Sequence, residues 1–204
     1  ALAAGGSPPD LAGATADEVA TAITSLSQSR RRLVGLFSGG TLCYETMTIA
    51  TRHIGPIHSN TPLDHAWTLP APAGAHVCLD LGEEEYTVGR PHPMIDPTAR
   101  IEWLRPQVDD PSVAAVVLDV VLGDGSHPDP ASLLAPVAGE IIASGAVVIA
   151  YVLGTDADPQ SLDRQRRTMA GVGCIVTATA ARAALAAAAV VNRDPALVLD
   201  PLDR

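Results

Sequence analysis

The chain has 204 residues, enough for one sizeable domain with a true core. Its formal net charge of −10 argues against nucleic acid as a partner, and no apolar run reaches the length of a membrane span. All 13 basic residues are arginine, which excludes a Schiff base, a P-loop lysine and a lysine general base within the chain.

Hydrophobic residues make up 47% and aromatics only 3%, so the core is built from Ala, Val, Leu and Ile. That composition suits a parallel sheet covered by helices. Residues 1–14 are rich in Ala, Gly and Pro and read as a flexible lead-in. They carry neither the basic nor the apolar region of a signal peptide, so a cytoplasmic location is the expectation. Thr15 to Leu26 follows with a Thr cap, two acids and apolar residues at helical spacing. Arg30, Arg31 and Arg32 read as its solvated end, where cations complement the helix dipole.

Leu33 to Phe37 is a short apolar run, the pattern of a strand buried on both faces. Ser38, Gly39 and Gly40 break it, and from Thr41 an apolar pattern at helical spacing resumes with Leu42, Met47, Ile49 and Ala50. A strand, a glycine turn and a helix start aim free backbone N–H groups at one point, which favours phosphate or carboxylate. The spacing fits a tight packing turn equally well, because neither a dinucleotide fingerprint nor a P-loop is complete.

Residues 55–75, with Pro56, Pro62, Pro70, Pro72 and Trp67, read as a long loop that covers this helix or reaches a partner. Further strands are predicted at 76–81, 113–122, 146–153 and 172–176, the second of these central. Helices are predicted near 97–107, 130–144, 159–170 and 178–192, several opened by proline. The alternation implies a flavodoxin-like α/β fold: a doubly wound parallel sheet of five strands in the order 2-1-3-4-5. One domain then spans 15–192, with 193–204 as a C-terminal tail. The switch point falls between strands one and three, so the Ser38–Thr41 turn meets the loops that begin at Gly82, Gly123 and Gly154.

Four side chains stand out near that edge. Arg90 has the geometry to clamp an anion bidentately, or braces its loop. His92, between two prolines, is stiffened for proton transfer or anion contact, or is a surface histidine. Asp96, before Pro97, reads as the cap of the next helix. Asp119, inside the most apolar strand, needs an arginine or backbone donors. Glu83 to Glu85 reads as a solvated charge run. Asp124, His127 and Asp129 fit turns as well as a cation site, and the histidines lack metal-ligand spacing, so no metal is expected. Cys43, Cys78 and Cys174 lie in separate apolar segments as buried small hydrophobes. Ala178 to Val191 is apolar around its circumference, which predicts a second copy or a partner subunit against it, unless the 55–75 loop and the tail cover it.

Ser-Gly-Gly-Thr-Leu-Cys-Tyr-Glu at 38–45 resembles the Ser-Arg-Ser-Gly-Thr-Leu-Thr-Tyr-Glu segment of succinyl-CoA synthetase α subunits. The blocks at 80–97, 118–131 and 154–160 resemble still more closely the FdrA-type proteins of that acyl-CoA synthetase superfamily. The likeness is collinear over residues 33–191. It implies a CoA-ligase domain whose helix points its N-terminus at a phosphate or acyl phosphate, held by Ser38, Gly39, Gly40, Thr41 and Arg90. Glu45, Asp96, Asp119 and Gly123 would then support the site, and His92 would contact the anion. The synthetases' phosphohistidine loop, Gly-His-Ala-Gly, is replaced here by Gly154-Thr-Asp-Ala-Asp-Pro-Gln without histidine. Their CoA-binding domain and ATP-grasp subunit have no counterpart in this sequence. The resemblance thus implies that CoA and nucleotide belong to a fuller assembly, with no cofactor held by this chain alone. FdrA-type proteins are also linked to an oxamate carbamoyltransferase, and a non-catalytic scaffold is a third reading.

Overall fold

The computed structural model describes residues 11–201. Six parallel strands form one sheet: β1 (Arg32–Phe37), β2 (Ile57–His58), β3 (His76–Asp80), β4 (Val113–Val121), β5 (Val147–Leu153) and β6 (Ile175–Thr177). Their order is β2-β3-β1-β4-β5-β6. The predicted five-strand order is therefore present, with one unpredicted strand added at the β3 edge. β2 has only two residues, too few to leave a pattern in the sequence. Asn60 extends its pairing, because its side-chain amide donates to the carbonyl of Asp80 at 3.0 Å and accepts the Asp80 N–H at 3.0 Å.

Strand residues alternate between two cores, as the pleat requires. Leu33 and Phe37 face α1 (Leu11–Ser25), α2 (Gly40–Ile54) and α7 (Ala180–Asn192). Val34 and Leu36 face α4 (Thr98–Leu104), α5 (Pro130–Ala143) and α6 (Leu162–Gly171). A four-residue helix, α3 (Glu84–Thr87), interrupts the loop after β3. No helix among the described residues is long and apolar enough to cross a membrane. The three cysteines are buried and free. Burial pushes the Cys78 and Cys174 thiols up to about 12 and that of Cys43 higher still, so none is a ready nucleophile.

Several expectations need correction. Helix α1 begins at Leu11, so Thr15 lies inside it and does not cap it, and residues 11–14 are helical; residues 1–10 of the expected lead-in fall outside the described residues. Of the arginines after α1, Arg31 is exposed as expected, but Arg30 and Arg32 are not a solvated helix end. Arg30 is buried and donates to the carbonyls of Asp110, Val113 and Ser144, while Arg32 pairs with Asp110 at 2.5 Å and donates to Ala75 O at 3.0 Å. These residues staple the N-terminal edge of the sheet, where carbonyl groups would otherwise lack donors. Helix α7 is covered from within the chain by α1, α2 and the 3-10 turn Pro195–Leu199, whose Val198 is fully buried. Its apolar circumference therefore requires no second copy.

His76 provides a test of this frame. Its Nδ1 accepts the N–H of Leu33 at 3.0 Å, joining the starts of β3 and β1. Burial, followed by the nearby Arg32, holds its imidazole below the ordinary 6.5. In the unfolded chain the ring takes its proton from 6.5 downward, whereas in the folded protein it resists. The His76 contribution is thus full above 6.5 and is lost as pH falls through the lowered folded value. Urea unfolding as a function of pH should show this decline, and His76→Asn should flatten it while keeping an acceptor for Leu33. An unchanged slope in the variant would assign the decline to other groups.

Candidate functional site

The chain leaves β1 on one side of the switch point and returns to β4 on the other, and the first residues after β1 lie in that crevice. Ser38 and Asp119 bridge it. Asp119 is 1% exposed, and its Oδ1 accepts the Ser38 N–H at 2.9 Å while Oδ2 accepts the Ser38 hydroxyl. Arg100, 2% exposed, points inward from α4 and pairs with Asp119 Oδ1 at 2.9 Å. It also donates to Leu36 O at 2.9 Å. Burial lowers the Arg100 pKa, and the Asp119 charge opposes that shift. A buried ion pair thus clamps the β1–α2 turn from below. Asp119 has both kinds of partner that its sequence setting demanded, a backbone donor and an arginine.

This clamp changes the role expected of Ser38. Both its donors are committed to Asp119, so it shapes the turn and has no donor left for a ligand. The available donors begin one residue later. Gly39 is extended at φ −168°, and the N–H groups of Gly40, Thr41 and Leu42 open the first turn of α2 without intrahelical acceptors or a side-chain cap. Gly40 and Thr41 line an open cleft of about 480 Å³, shared with Tyr44, Glu45, Thr61, Asp80 and Glu83. A larger groove of about 590 Å³ runs between α1 and the start of β6. It lies toward the opposite end of the strands and touches none of these loops.

Asp80 and Gly82 hold the cleft's second wall. Asp80 is 3% exposed, and its Oδ1 accepts the Gly82 N–H at 2.9 Å. A Cβ built on Gly82 would meet Ser38 O at 2.7 Å, His92 Nε2 at 2.8 Å and Asp80 Oδ1 at 3.1 Å. Three chain segments therefore converge on a position that only glycine fits. His92 reaches the turn as its loop position suggested, with Nδ1 accepting the Met94 N–H at 3.2 Å and Nε2 turned toward Asp80 and Gly82.

Arg90 is not part of this group. Its guanidinium forms a two-pronged pair with Glu102 at 3.0 and 3.3 Å on the surface, because α4 presents a carboxylate to it there. The expected fixed charge at the anion is thus absent from that residue. Asp96 behaves as a cap, accepting the N–H and hydroxyl of Thr98 at 2.9 and 2.6 Å, bonds that hold its carboxyl below the usual range. Glu45 lines the cleft from α2.

The family described as CoA-ligase matches residues 36–191, from the end of β1 to the end of α7. The chain belongs to the CoA-ligase family. A protein of Escherichia coli (strain K12), the uncharacterized YahF, is 39% identical over 170 residues that cover 79% of this chain and 33% of YahF. The chain therefore spans about a third of the length of that curated relative.

In this CoA-ligase domain the loops after β4 and β5 are tied together on the same sheet edge. Gln160, 3% exposed, accepts the Gly123 N–H at 3.2 Å and donates to Gly123 O at 2.9 Å. Gly123 sits at φ 123°, a conformation natural only to glycine. Gln165, fully buried, accepts the Ala131 N–H at 2.9 Å and donates to Asp129 at 3.0 Å. His127 Nδ1 accepts the Asp129 N–H at 3.0 Å, and the His127 N–H reaches Met94 O at 2.8 Å. Asp124, His127 and Asp129 are therefore turn residues. Among the described residues no group of three or more His, Cys, Asp or Glu could hold a metal ion. Sequence reasoning passed over Asp80, Arg100, Asn60, Gln160 and Gln165. For Asp80 a signal existed, since it ends an apolar strand at the ligand edge just as Asp119 does.

Proposed function

We propose that this chain is the ligase module of an acyl-CoA synthetase-like enzyme of the FdrA type, and that the N-terminus of α2 receives a phosphate or acyl phosphate. The observation that carries this reading is the uncapped first turn of α2, whose Gly40 and Thr41 line the cleft between α2 and the end of β3. His92 donates a hydrogen bond to the bound anion and does not carry the phosphoryl group. The loop Gly154–Gln160, which stands where the synthetases carry their phosphohistidine, holds no histidine.

The cleft is lined by Glu45, Asp80 and Glu83 and by no arginine. A dianion there needs positive charge from outside it, so the module works with further domains, a partner subunit or a second copy. The acid lining does not fit the pyrophosphate of CoA or the triphosphate of a nucleotide, and no step here is routed through either. The same acids favour a second reading, an FdrA-type oxamate carbamoyltransferase. Carboxylates beside the amides would accept the N–H groups of carbamoyl phosphate while the helix end holds its phosphate.

Amide NMR of the whole chain tests both readings. Millimolar phosphate, acetyl phosphate or carbamoyl phosphate should shift the Gly39–Leu42 resonances, carbamoyl phosphate most strongly on the second reading. Silence at those amides with all three anions removes the proposal.

A further inference from the structure

The two edges of the sheet are finished differently. At the β2 edge the chain covers itself: the Ser59 N–H donates to Trp67 O at 3.0 Å, and Ser59 bridges Thr68. At the other edge β6 pairs only with β5. Among the described residues, Ile175 and Val176 make no backbone hydrogen bond outside that ladder. The groove of about 590 Å³ touches Gly173, Cys174, Ile175 and Val176 in succession. Successive strand residues point to opposite faces, so a groove in contact with all of them runs along the edge of β6 and not over one face. Its walls are α1, through Asp17, Glu18, Thr21 and Ala22, and α6, through Ala170. It adjoins a further space of about 200 Å³ that shares Ala22, Gly173 and Ile175 and ends near Ser25 and Gly145.

We infer that this edge is a docking site for a partner polypeptide, which adds an extended segment to β6 as a seventh strand. Helices on both sides leave room for a single extended chain, and unpaired backbone groups offer it a ladder. The walls specify its side chains. Those turned toward α6 meet Ala170 and are apolar, whereas those turned toward α1 meet Asp17 and Glu18 and are basic. Both acids are exposed, and neither carboxylate has an ion pair or hydrogen bond among the described residues. No basic side chain lines the groove. Charge complementarity therefore selects the occupant. A second copy paired antiparallel at β6 would set its own α1 beside this one, acid against acid, on a chain of net charge −10. Residues 1–10 of the chain contain no basic residue to meet these acids. The inference is independent of the anion reading, because the groove lies away from the cleft beside α2.

The probe is an acetylated, amidated peptide of alternating arginine and valine, with a peptide of the same composition in two blocks as control. Titrated into the whole chain at submillimolar concentration, the alternating peptide should shift the amide resonances of Gly173–Val176 and of Asp17–Ala22. Asp17→Asn combined with Glu18→Gln should weaken it about threefold to tenfold, as loss of two exposed charge pairs implies. N-methylation distinguishes strand addition from simple charge attraction, since it removes backbone donors and keeps every charge. Methylating either all arginine or all valine amides should abolish binding, and methylating the other set should leave it. Absence of binding at millimolar peptide overturns the inference, as do shifts confined to other segments or equal binding of the block peptide. Indifference to both methylation patterns or to the double variant overturns it as well. Sedimentation that shows a dimer of the chain alone, with Gly173–Val176 amides protected only in the dimer, gives the edge to a second copy. Protection in the monomer that disappears when residues 1–10 are deleted gives it to the chain's own N-terminus, and either result removes the partner.

Discussion

Asp119→Ala should lower the free energy of unfolding by about 3–5 kcal/mol, the usual cost of removing one partner from a buried ion pair. Arg100 is 2% exposed and remains charged at any accessible pH, so the substitution strands a guanidinium in the core. Its Nε already lacks a partner, and only the Leu36 carbonyl at 2.9 Å would be left to hold it. The Ser38 N–H and hydroxyl would lose their acceptor at the same time. Against a typical total of about 5–15 kcal/mol, the loss is a large fraction of the stability. It also releases the β1–α2 turn, so the Gly39–Leu42 amide resonances should broaden or move even where the chain stays folded. Arg100→Met combined with Asp119→Leu should recover part of the loss, because an apolar pair avoids the desolvation cost of both charges. Recovery stays partial, since Ser38 still has a buried N–H to satisfy. Urea denaturation of the two single variants and the double variant decides the matter. A loss below about 1 kcal/mol in Asp119→Ala would mean that water or rearrangement compensates the charge, and the clamp would not hold the turn.

How far the sequence foretells this arrangement depends on the range of the interaction concerned. β1, β4 and β5 were legible because a chain with so few aromatics has to build its sheet from runs of Val, Leu, Ile and Ala. Their order followed from the alternation with helices. β2 was not legible, because its two residues gain their place from the Asn60 side chain, which imitates a peptide group against Asp80. Asp119 announced that it needed a partner but could not say which. Arg90 and Arg100 both precede β4, and only the orientation of α4 turns Arg100 inward and sets Glu102 opposite Arg90. The same limit explains α7. Its composition shows that every face is covered, yet whether α1, α2 and the C-terminal turn or a second molecule covers it is a long-range fact. At the candidate site the donor groups were readable as a strand, a glycine turn and a helix. The acids that oppose them come from α2 and from the end of β3, two segments that only the fold brings together.

Gly82→Ala should disable the site through a single methyl group. A Cβ there would stand 2.7 Å from Ser38 O, 2.8 Å from His92 Nε2 and 3.1 Å from Asp80 Oδ1, all well inside van der Waals contact. His92 is able to swing away only by giving up the Met94 N–H bond to its Nδ1. The Ser38 carbonyl is backbone, and it is held in place by the Asp119 clamp on the same residue. Relief therefore requires the β1–α2 turn and the loop after β3 to part. Overpacking of this kind costs about 1–3 kcal/mol. The functional loss should be larger than the stability loss, since a displacement near 1 Å in a positioning group costs on the order of 100-fold. Gly39→Ala is the matched control. Gly39 is extended at φ −168°, and its added Cβ would meet nothing within 4 Å, so its stability should stay within about 0.5 kcal/mol of the wild type. Thermal melts and sulfate titrations of the two variants separate a general intolerance of the turn from the specific convergence at Gly82. If Gly82→Ala melts and binds like Gly39→Ala, the convergence does not constrain the cleft, and His92 loses the geometric basis for its place beside the anion.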